Sequence, residues 1–170
     1  MENQLVQYII KEVRRRMVQE SMMKLQSCLD KLTLEQIWYR PNENTLSIGN
    51  TLLHLNGNVR QYILAGLASG ADTRQRSKEF SERSVISKED LLNPLKKTMQ
   101  EVDQYLDKLD IDELTIVRPV QCFDESGVGI LIHVVEHFSY HVGQVVYITK
   151  MLEDQDMGFY EGMDLEQKGM

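Results

Sequence analysis

The four histidines are the residues of this 170-residue chain that are best suited to chemistry. Three of them, His133, His137 and His141, follow one another at steps of four, and His54 stands alone in an earlier segment. A step of four advances about 400° around a helix, so these three form a nearly straight stripe in which neighbouring pairs can share one ligand. The outer two would lie about 12 Å apart, too far for all three to bind one ion. Spacing alone leaves two pairs open, His133 with His137 or His137 with His141.

The residues around these histidines indicate that the stripe faces the core and that His54 faces a space with polar walls. The stripe is bordered by the apolar residues Val134, Phe138, Val142 and Val145. His54 shares its helical arc with the polar, uncharged residues Asn50, Thr51, Asn58 and Gln61, a composition typical of the wall of an internal, wet cavity. Two imidazoles from an i, i+4 pair and a third from a facing helix match what Zn²⁺, Ni²⁺ or Fe²⁺ accepts, with a coordination position left open. The alternative is that these are hydrogen-bonded core histidines without a metal.

Apolar residues recur at helical spacing in four segments, near residues 5–32, 47–68, 87–109 and 126–152. Ser47, Ser87 and Ser126 stand where helix N-caps are expected. Pro94 either kinks the third helix or is its first residue, with Asn93 as the cap. Four long helices without a convincing sheet predict an all-α four-helix bundle.

The segments that connect the four helices are predicted to contain little regular secondary structure. Residues 33–45 begin with a capping box, Thr33 with Gln36, and fit a short helical turn followed by a loop. Residues 69–86 are polar and charged, and we expect a long exposed connection. Its arginines, from Arg74 to Arg83, are expected to form a charged loop, and the alternative is that this run folds over the cavity and meets an anion. Residues 110–125 are expected to form an extended crossover or a small hairpin arm. A single domain is expected over residues 1–155, with a loose acidic tail over 156–170.

Composition restricts the partners and the compartment. The net charge of −7 argues against nucleic acid as a partner. No stretch approaches the ~20 apolar residues of a membrane span, and the first residues lack the layout of a signal peptide, so no membrane partner and a cytoplasmic location are expected. The two cysteines, Cys28 and Cys122, are too few for a disulfide framework and are expected to be reduced thiols.

Two segments carry a family resemblance. The segment His133-Val-Val-Glu-His137-Phe-Ser-Tyr-His141-Val-Gly-Gln144 resembles the signature of the DinB-like superfamily, a helical H-x-x-x-H pair followed by Gly-Gln. Ser47-Ile-Gly-Asn-Thr-Leu-Leu-His54-Leu-Asn-Gly-Asn58 resembles the second helix of that superfamily. The resemblance implies that His54, His137 and His141 are the metal ligands, that Gly143 allows close helix approach and that Gln144 lies next to the site. It also implies a bundle with a long crossover connection and a homodimer.

The resemblance says less about the reaction. Some members of the superfamily use a low-molecular-weight thiol bound at the metal for transferase or isomerase chemistry. We therefore expect a metal-dependent hydrolase or a thiol-dependent transferase with a small-molecule substrate, with His133 and Tyr140 as candidate catalytic residues. The alternatives are a non-catalytic bundle that binds a metal or a small ligand, and a metal-free structural dimer.

Overall fold

The computed structural model describes residues 2–168, and this range contains seven helices and one two-stranded sheet. The helices are α1 (Glu2–Val13, Arg14–Ser21 and Met22–Lys31), α2 (Leu34–Trp38), α3 (Ile48–Val59 and Arg60–Leu67), α4 (Arg76–Ser81), α5 (Lys88–Leu106), α6 (Ile111–Thr115) and α7 (Gly127–Glu153). The four long helices, α1, α3, α5 and α7, coincide with the four predicted segments. The predicted all-α class is therefore confirmed.

Serine residues begin three of the long helices, as predicted. The hydroxyl oxygens of Ser47, Ser87 and Ser126 each accept a hydrogen bond from the backbone N–H three residues further on. Each cap satisfies one of the backbone donors that a helix leaves free in its first turn. The capping box of Thr33 and Gln36 is also formed and begins α2. Because α5 begins at Lys88, Pro94 lies inside that helix and is not its first residue.

Two of the long helices contain a π-helical segment that the apolar pattern did not reveal. In α1 the wider turns span Arg14–Ser21, and in α3 they span Arg60–Leu67. The segment in α3 begins one residue after Val59, so the residues around His54 remain in regular α-helix. The regular 3.6-residue period therefore applies to the part of α3 that carries His54.

The long helices pack as a bundle in which α1 and α3 each contact both α5 and α7. Fully buried residues from all four helices form its core, among them Leu25, Leu29, Leu52, Leu55, Leu95, Val102, Ile130, Val134 and Phe138. Arg14 of α1 forms ion pairs with Asp103 and Asp107 at the end of α5. This arrangement places the inner faces of α3 and α7 against each other, and the histidines lie between them.

The connections contain two short helices that were not predicted, together with a hairpin that was one of the two structures expected for residues 110–125. The long crossover from α3 to α5 includes α4, and residues 110–126 contain α6 and a hairpin of β1 (Val117–Val120) and β2 (Phe123–Ser126). In the tail, Met157 and Phe159 are partly buried against the core, and the Lys24 ammonium lies 5.7 Å from the centre of the Phe159 ring. None of the helices in residues 2–168 combines the length and the apolar character that crossing a membrane requires.

Candidate metal centre

The three histidines singled out by the resemblance lie together between α3 and α7. His54 projects from α3, and His137 and His141 project from successive turns of α7. Each offers a ring nitrogen that lies within 4.8 Å of those of the other two. His54 is buried, with 5% of its surface exposed, and the other two are half-buried. The Nε2 atoms of His54 and His137 are 3.1 Å apart.

A buried carboxylate from the crossover holds the outer edge of the His54 ring. His54 donates from Nδ1 to Oε2 of Glu79, which lies on α4, over a distance of 2.9 Å. Arg74 donates to both carboxylate oxygens of Glu79, from Nε at 2.7 Å and from a terminal nitrogen at 2.8 Å. Burial alone would raise the pKa of Glu79, but the hydrogen bonds from Arg74 and His54 outweigh it and lower that pKa below its ordinary value.

The expectation of a plain exposed loop over residues 69–86 is therefore wrong in its central part. The Arg74 side chain is only 2% exposed, because its charge is paired with Glu79 and a further N–H donates to Oε1 of Gln61. Gly57 of α3 makes this contact possible, since a Cβ atom there would stand 2.0 Å from a Glu79 oxygen. A buried charge is tolerated only where it is paired and hydrogen-bonded, and this segment meets both conditions.

The polar arc of α3 faces this crossover, where we had expected a wet cavity. The Asn50 amide donates to the backbone carbonyls of Glu79 and Glu82, and the Gln61 amide donates to Asp72. A cavity of about 530 Å³ does lie along the crossover, lined among others by Gly57, Gln61, Arg74 and Glu79, but it includes no histidine. Uncharged polar residues on a helix therefore marked a face that is covered by protein.

The two α7 histidines are neutral in this environment. Burial lowers the pKa of His137 to about 3, and the neighbouring histidines and Arg74 act in the same direction. Burial also lowers the pKa of His141, partly offset by the hydrogen bond between its Nδ1 atom and Oε1 of Gln144, at 2.8 Å. The buried Nδ1 atom of His137 has no hydrogen-bond partner among the described residues. Neutral rings have the lone pairs that metal ligation requires.

The remaining predicted residues occupy different positions. His133 lies outside the cluster, stacked between the rings of Tyr62 and His137 at centroid distances of 4.1 and 5.5 Å, and burial lowers its pKa. Tyr140 is exposed, and the edge of its ring contacts His141 at 5.0 Å between centroids. Gly143 is exposed on α7, and a Cβ atom there would meet nothing within 4 Å. The expectation that Gly143 allows close helix approach therefore does not hold among residues 2–168.

The cluster fits a divalent transition-metal ion. Nitrogen ligands lie about 2.0–2.1 Å from Zn²⁺, so two of them at a tetrahedral angle are about 3.3–3.4 Å apart. The observed separation of 3.1 Å between the Nε2 atoms of His54 and His137 is close to that value. Three imidazoles from two helices form a donor set that Zn²⁺, Ni²⁺ and Fe²⁺ all accept.

The fold and this cluster define a DinB-like helical bundle with a grouped set of three histidines. The chain belongs to the family described as "Protein of unknown function (DUF1572)", which it matches over residues 4–160. Among solved structures it is similar to the crystal structure of a DinB-like protein from Bacillus subtilis, with a TM-score of 0.64 and 14% sequence identity, over 88% of this chain and 94% of that chain. No curated protein matches it. The fold implied by the resemblance to the DinB-like superfamily is thus confirmed, and at this identity the structural likeness shows that fold alone.

Proposed function

We propose that this protein binds one divalent transition-metal ion through ring nitrogens of His54, His137 and His141. The observation that carries the proposal is the convergence of three imidazoles from two helices, with ring nitrogens within 4.8 Å of one another. Glu79 and Gln144 support two of the rings through the nitrogen that faces away from the cluster. Ligating histidines in metalloproteins are commonly held by such a hydrogen bond on the other ring nitrogen.

The charges around the cluster support an anionic ligand for the ion. The charges of Glu79 and Arg74 cancel, and the lowered pKa values of His137 and His141 keep these two rings uncharged. When bound, the ion would act as a Lewis acid and lower the pKa of a coordinated thiol or water. We therefore propose a metal-dependent enzyme of the thiol-dependent transferase or hydrolase class, with a low-molecular-weight thiol as the cosubstrate and a small molecule as the substrate.

His133 and Tyr140 remain the candidate catalytic residues within this proposal. His133 is held one turn from His137 by stacking on Tyr62, and its Nε2 atom lies 3.5 Å from the Asn58 amide nitrogen. Tyr140 borders His141 from the solvent side, where a substrate would arrive. His133 would exchange protons with a substrate, and Tyr140 would orient it.

Non-catalytic binding is the second candidate, and one observation favours it. The four cavities described in residues 2–168 have volumes of about 530, 800, 310 and 120 Å³, and none of them is lined by a histidine. A protein that stores or senses the ion needs no substrate cavity at the cluster. Turnover with a thiol cosubstrate would indicate the enzyme, and metal binding without turnover would indicate the non-catalytic protein.

We also propose that the protein forms a homodimer in the cytoplasm. A groove of about 800 Å³ runs between α1 and α7, lined by Tyr8, Ile9, Val13, Val128, Leu131, Ile132 and Val135 on its apolar side. Tyr8 and Ile132 are exposed there, and apolar surface of this kind is commonly covered in symmetric dimers. The two free thiols, Cys28 and Cys122, fit a reducing compartment.

Elemental analysis of protein purified without a polyhistidine tag tests the metal proposal. We expect about one Zn, Ni or Fe ion per chain after metal-replete expression, and a higher Tm with the ion than after chelation. Replacement by Co²⁺ followed by titration with small thiols tests the cosubstrate, because a thiolate bound to Co²⁺ adds a charge-transfer absorption band. A protein that retains no ion and gains no stability from any of the three metals would contradict the proposal.

A further inference from the structure

The contact between His54 and Glu79 determines which His54 nitrogen carries the proton. An ionised carboxylate can only accept hydrogen bonds, so the 2.9 Å contact requires a proton on Nδ1 of His54. A terminal nitrogen of Arg74 also lies 3.1 Å from the same Nδ1 atom. A protonated Nδ1 cannot accept a hydrogen bond from Arg74, so this is a contact between two donors. The two nitrogens lie close together because both donate to Glu79. The Nε2 atom of His54 is then left with a free lone pair, which faces His137.

Several contacts attach the same crossover segment, residues 70–82, to α3 around His54. The Phe80 ring meets the edge of the His54 ring at 4.9 Å between centroids. The Asn50 amide holds the backbone carbonyls of Glu79 and Glu82 at 2.9 and 3.1 Å. Gly57 gives Glu79 the space to approach. The segment therefore covers the outer edge of His54, and its docking on α3 depends on the same buried carboxylate that orients the ring.

We propose that Glu79 is a positioning residue that fixes the Nδ1-protonated tautomer of His54, and that through it the docking of residues 70–82 is coupled to metal binding. The coupling rests on the proposed metal function, whereas the tautomer is a property of the metal-free protein. Coupling between two events is reciprocal, so an ion at the cluster holds the segment in place by as much as the segment strengthens metal binding.

Glu79→Gln is the direct test, and Glu82→Gln is its matched control. Both changes remove one negative charge from the same segment, but within residues 2–168 the Glu82 side chain accepts hydrogen bonds only from Arg83 and Ser84. A glutamine at position 79 has one acceptor oxygen, which the Arg74 guanidinium retains, and its NH₂ group then faces Nδ1 of His54. We expect ¹⁵N NMR of metal-free protein to show protonated Nδ1 in the wild type and in Glu82→Gln, and protonated Nε2 in Glu79→Gln.

The affinity for Zn²⁺ gives the second readout. Removing a partner that orients a ligating histidine weakens metal binding by about 10- to 100-fold, and we expect this loss in Glu79→Gln but not in Glu82→Gln.

Gly57→Ala should also weaken binding, because its Cβ atom displaces the intact carboxylate of Glu79. Gly143→Ala is its matched control, a helical glycine on α7 where a Cβ atom meets nothing within 4 Å. Circular dichroism before each titration confirms that every variant is folded.

Trypsin reports on the coupling, since the segment carries Arg76 and Lys78 on its surface. Zn²⁺ should slow cleavage at these sites in the wild type and in Glu82→Gln, but not in Glu79→Gln.

An unchanged tautomer in Glu79→Gln would overturn the positioning role, whatever the metal affinity. Equal Zn²⁺ affinities in Glu79→Gln and Glu82→Gln would overturn the coupling. A wild type without affinity for any metal would overturn the proposed function and the coupling together, and the NMR result would still decide the role of Glu79.

Discussion

The Nε2 atoms of His54 and His137 face each other at 3.1 Å across the interface between α3 and α7. With Nδ1 of His54 bonded to Glu79, the proton between the two rings belongs to Nε2 of His137, which donates it to His54. If an ion binds through both Nε2 atoms, this proton must move to Nδ1 of His137, so metal binding changes the tautomer of that ring. Metal binding also depends on pH because a protonated imidazole cannot bind the ion, and the metal-free protein should already respond to pH through the same residues.

We expect the stability of the metal-free protein to increase with pH between about 5 and 6.5. Burial lowers the pKa of His137 from 6.5 to about 3, so between these values the unfolded chain binds a proton that the folded chain does not. The stabilisation is complete above the unfolded pKa and is lost as pH falls toward the folded pKa. The lowered pKa values of His133 and His141 act in the same direction.

Thermal unfolding in the presence of a chelator, at several pH values from about 5 to 7.5, measures this dependence. His137→Gln is the comparison, because its amide does not titrate and it should show a shallower slope. Most carboxylates remain ionised in this range and affect both proteins equally. Equal slopes in the two proteins would contradict the assignment of the effect to His137.

The periodicity of the sequence predicted which residues face the core, but not where residues on different helices lie relative to one another along the bundle axis. The helical period placed three histidines on the inner face of α7, because side chains four residues apart share one face. Which α7 histidines lie level with His54 depends on how α3 and α7 pack. The spacing of residues within one helix does not predict this packing. In the structure the ring of His54 lies 4.9 Å from that of His137 and 5.0 Å from that of His141, and His133 packs on Tyr62.

The contacts of Glu79 with Arg74 and His54 were not predicted because the segment that carries Glu79 and Arg74 has no periodic signal. The helix that carries Glu79 is six residues long, too short for an apolar stripe, and its neighbours in sequence are mostly charged and exposed. One signal was present elsewhere, on α3. The uncharged polar residues Asn50 and Asn58 are buried, and a helix face of that composition indicates a covering segment with polar groups of its own. The crossover after α3 was the nearest segment able to supply them.

Gly143→Ala should stabilise the protein by about 0.5–1 kcal/mol, because alanine loses less backbone freedom in a helix than glycine and no atom stands in its way. For a chain of this size, about 1 kcal/mol corresponds to an increase in Tm of about 2–4 °C. Differential scanning calorimetry of the wild type and the variant measures the change. A decrease in Tm would contradict this prediction.

The proposed dimer should be disrupted by Ile132→Asp, which introduces a charge into the apolar groove between α1 and α7. Val85→Asp is a matched control, because Ile132 and Val85 are both 63% exposed and Val85 lies on the crossover, outside the groove. Light scattering at micromolar concentration should give twice the chain mass of 19.8 kDa for the wild type and for Val85→Asp, and the single mass for Ile132→Asp. A monomeric wild type would reject the dimer.

The choice between the two histidine pairs of α7 is open to a direct test by alanine substitution. His137→Ala removes the ligand common to both pairs, so it should largely abolish metal retention under either assignment. His141→Ala removes one of three protein donors in the proposed set, and we expect its effect on Zn²⁺ affinity to exceed the about 10- to 100-fold that loss of a supporting hydrogen bond causes. His133→Ala should retain the ion, because the ring of His133 lies on Tyr62 and outside the cluster within 4.8 Å.

Competition titration with a metallochromic chelator at pH 7.5 ranks the three variants against the wild type. His133→Ala also removes a stacking partner of Tyr62, so its unfolding transition is recorded first to separate a loss of ligation from a loss of folded protein. The expected order of affinity is wild type and His133→Ala together, with His137→Ala and His141→Ala far weaker. Loss of the ion in His133→Ala with retention in His141→Ala would show that the other pair binds the metal.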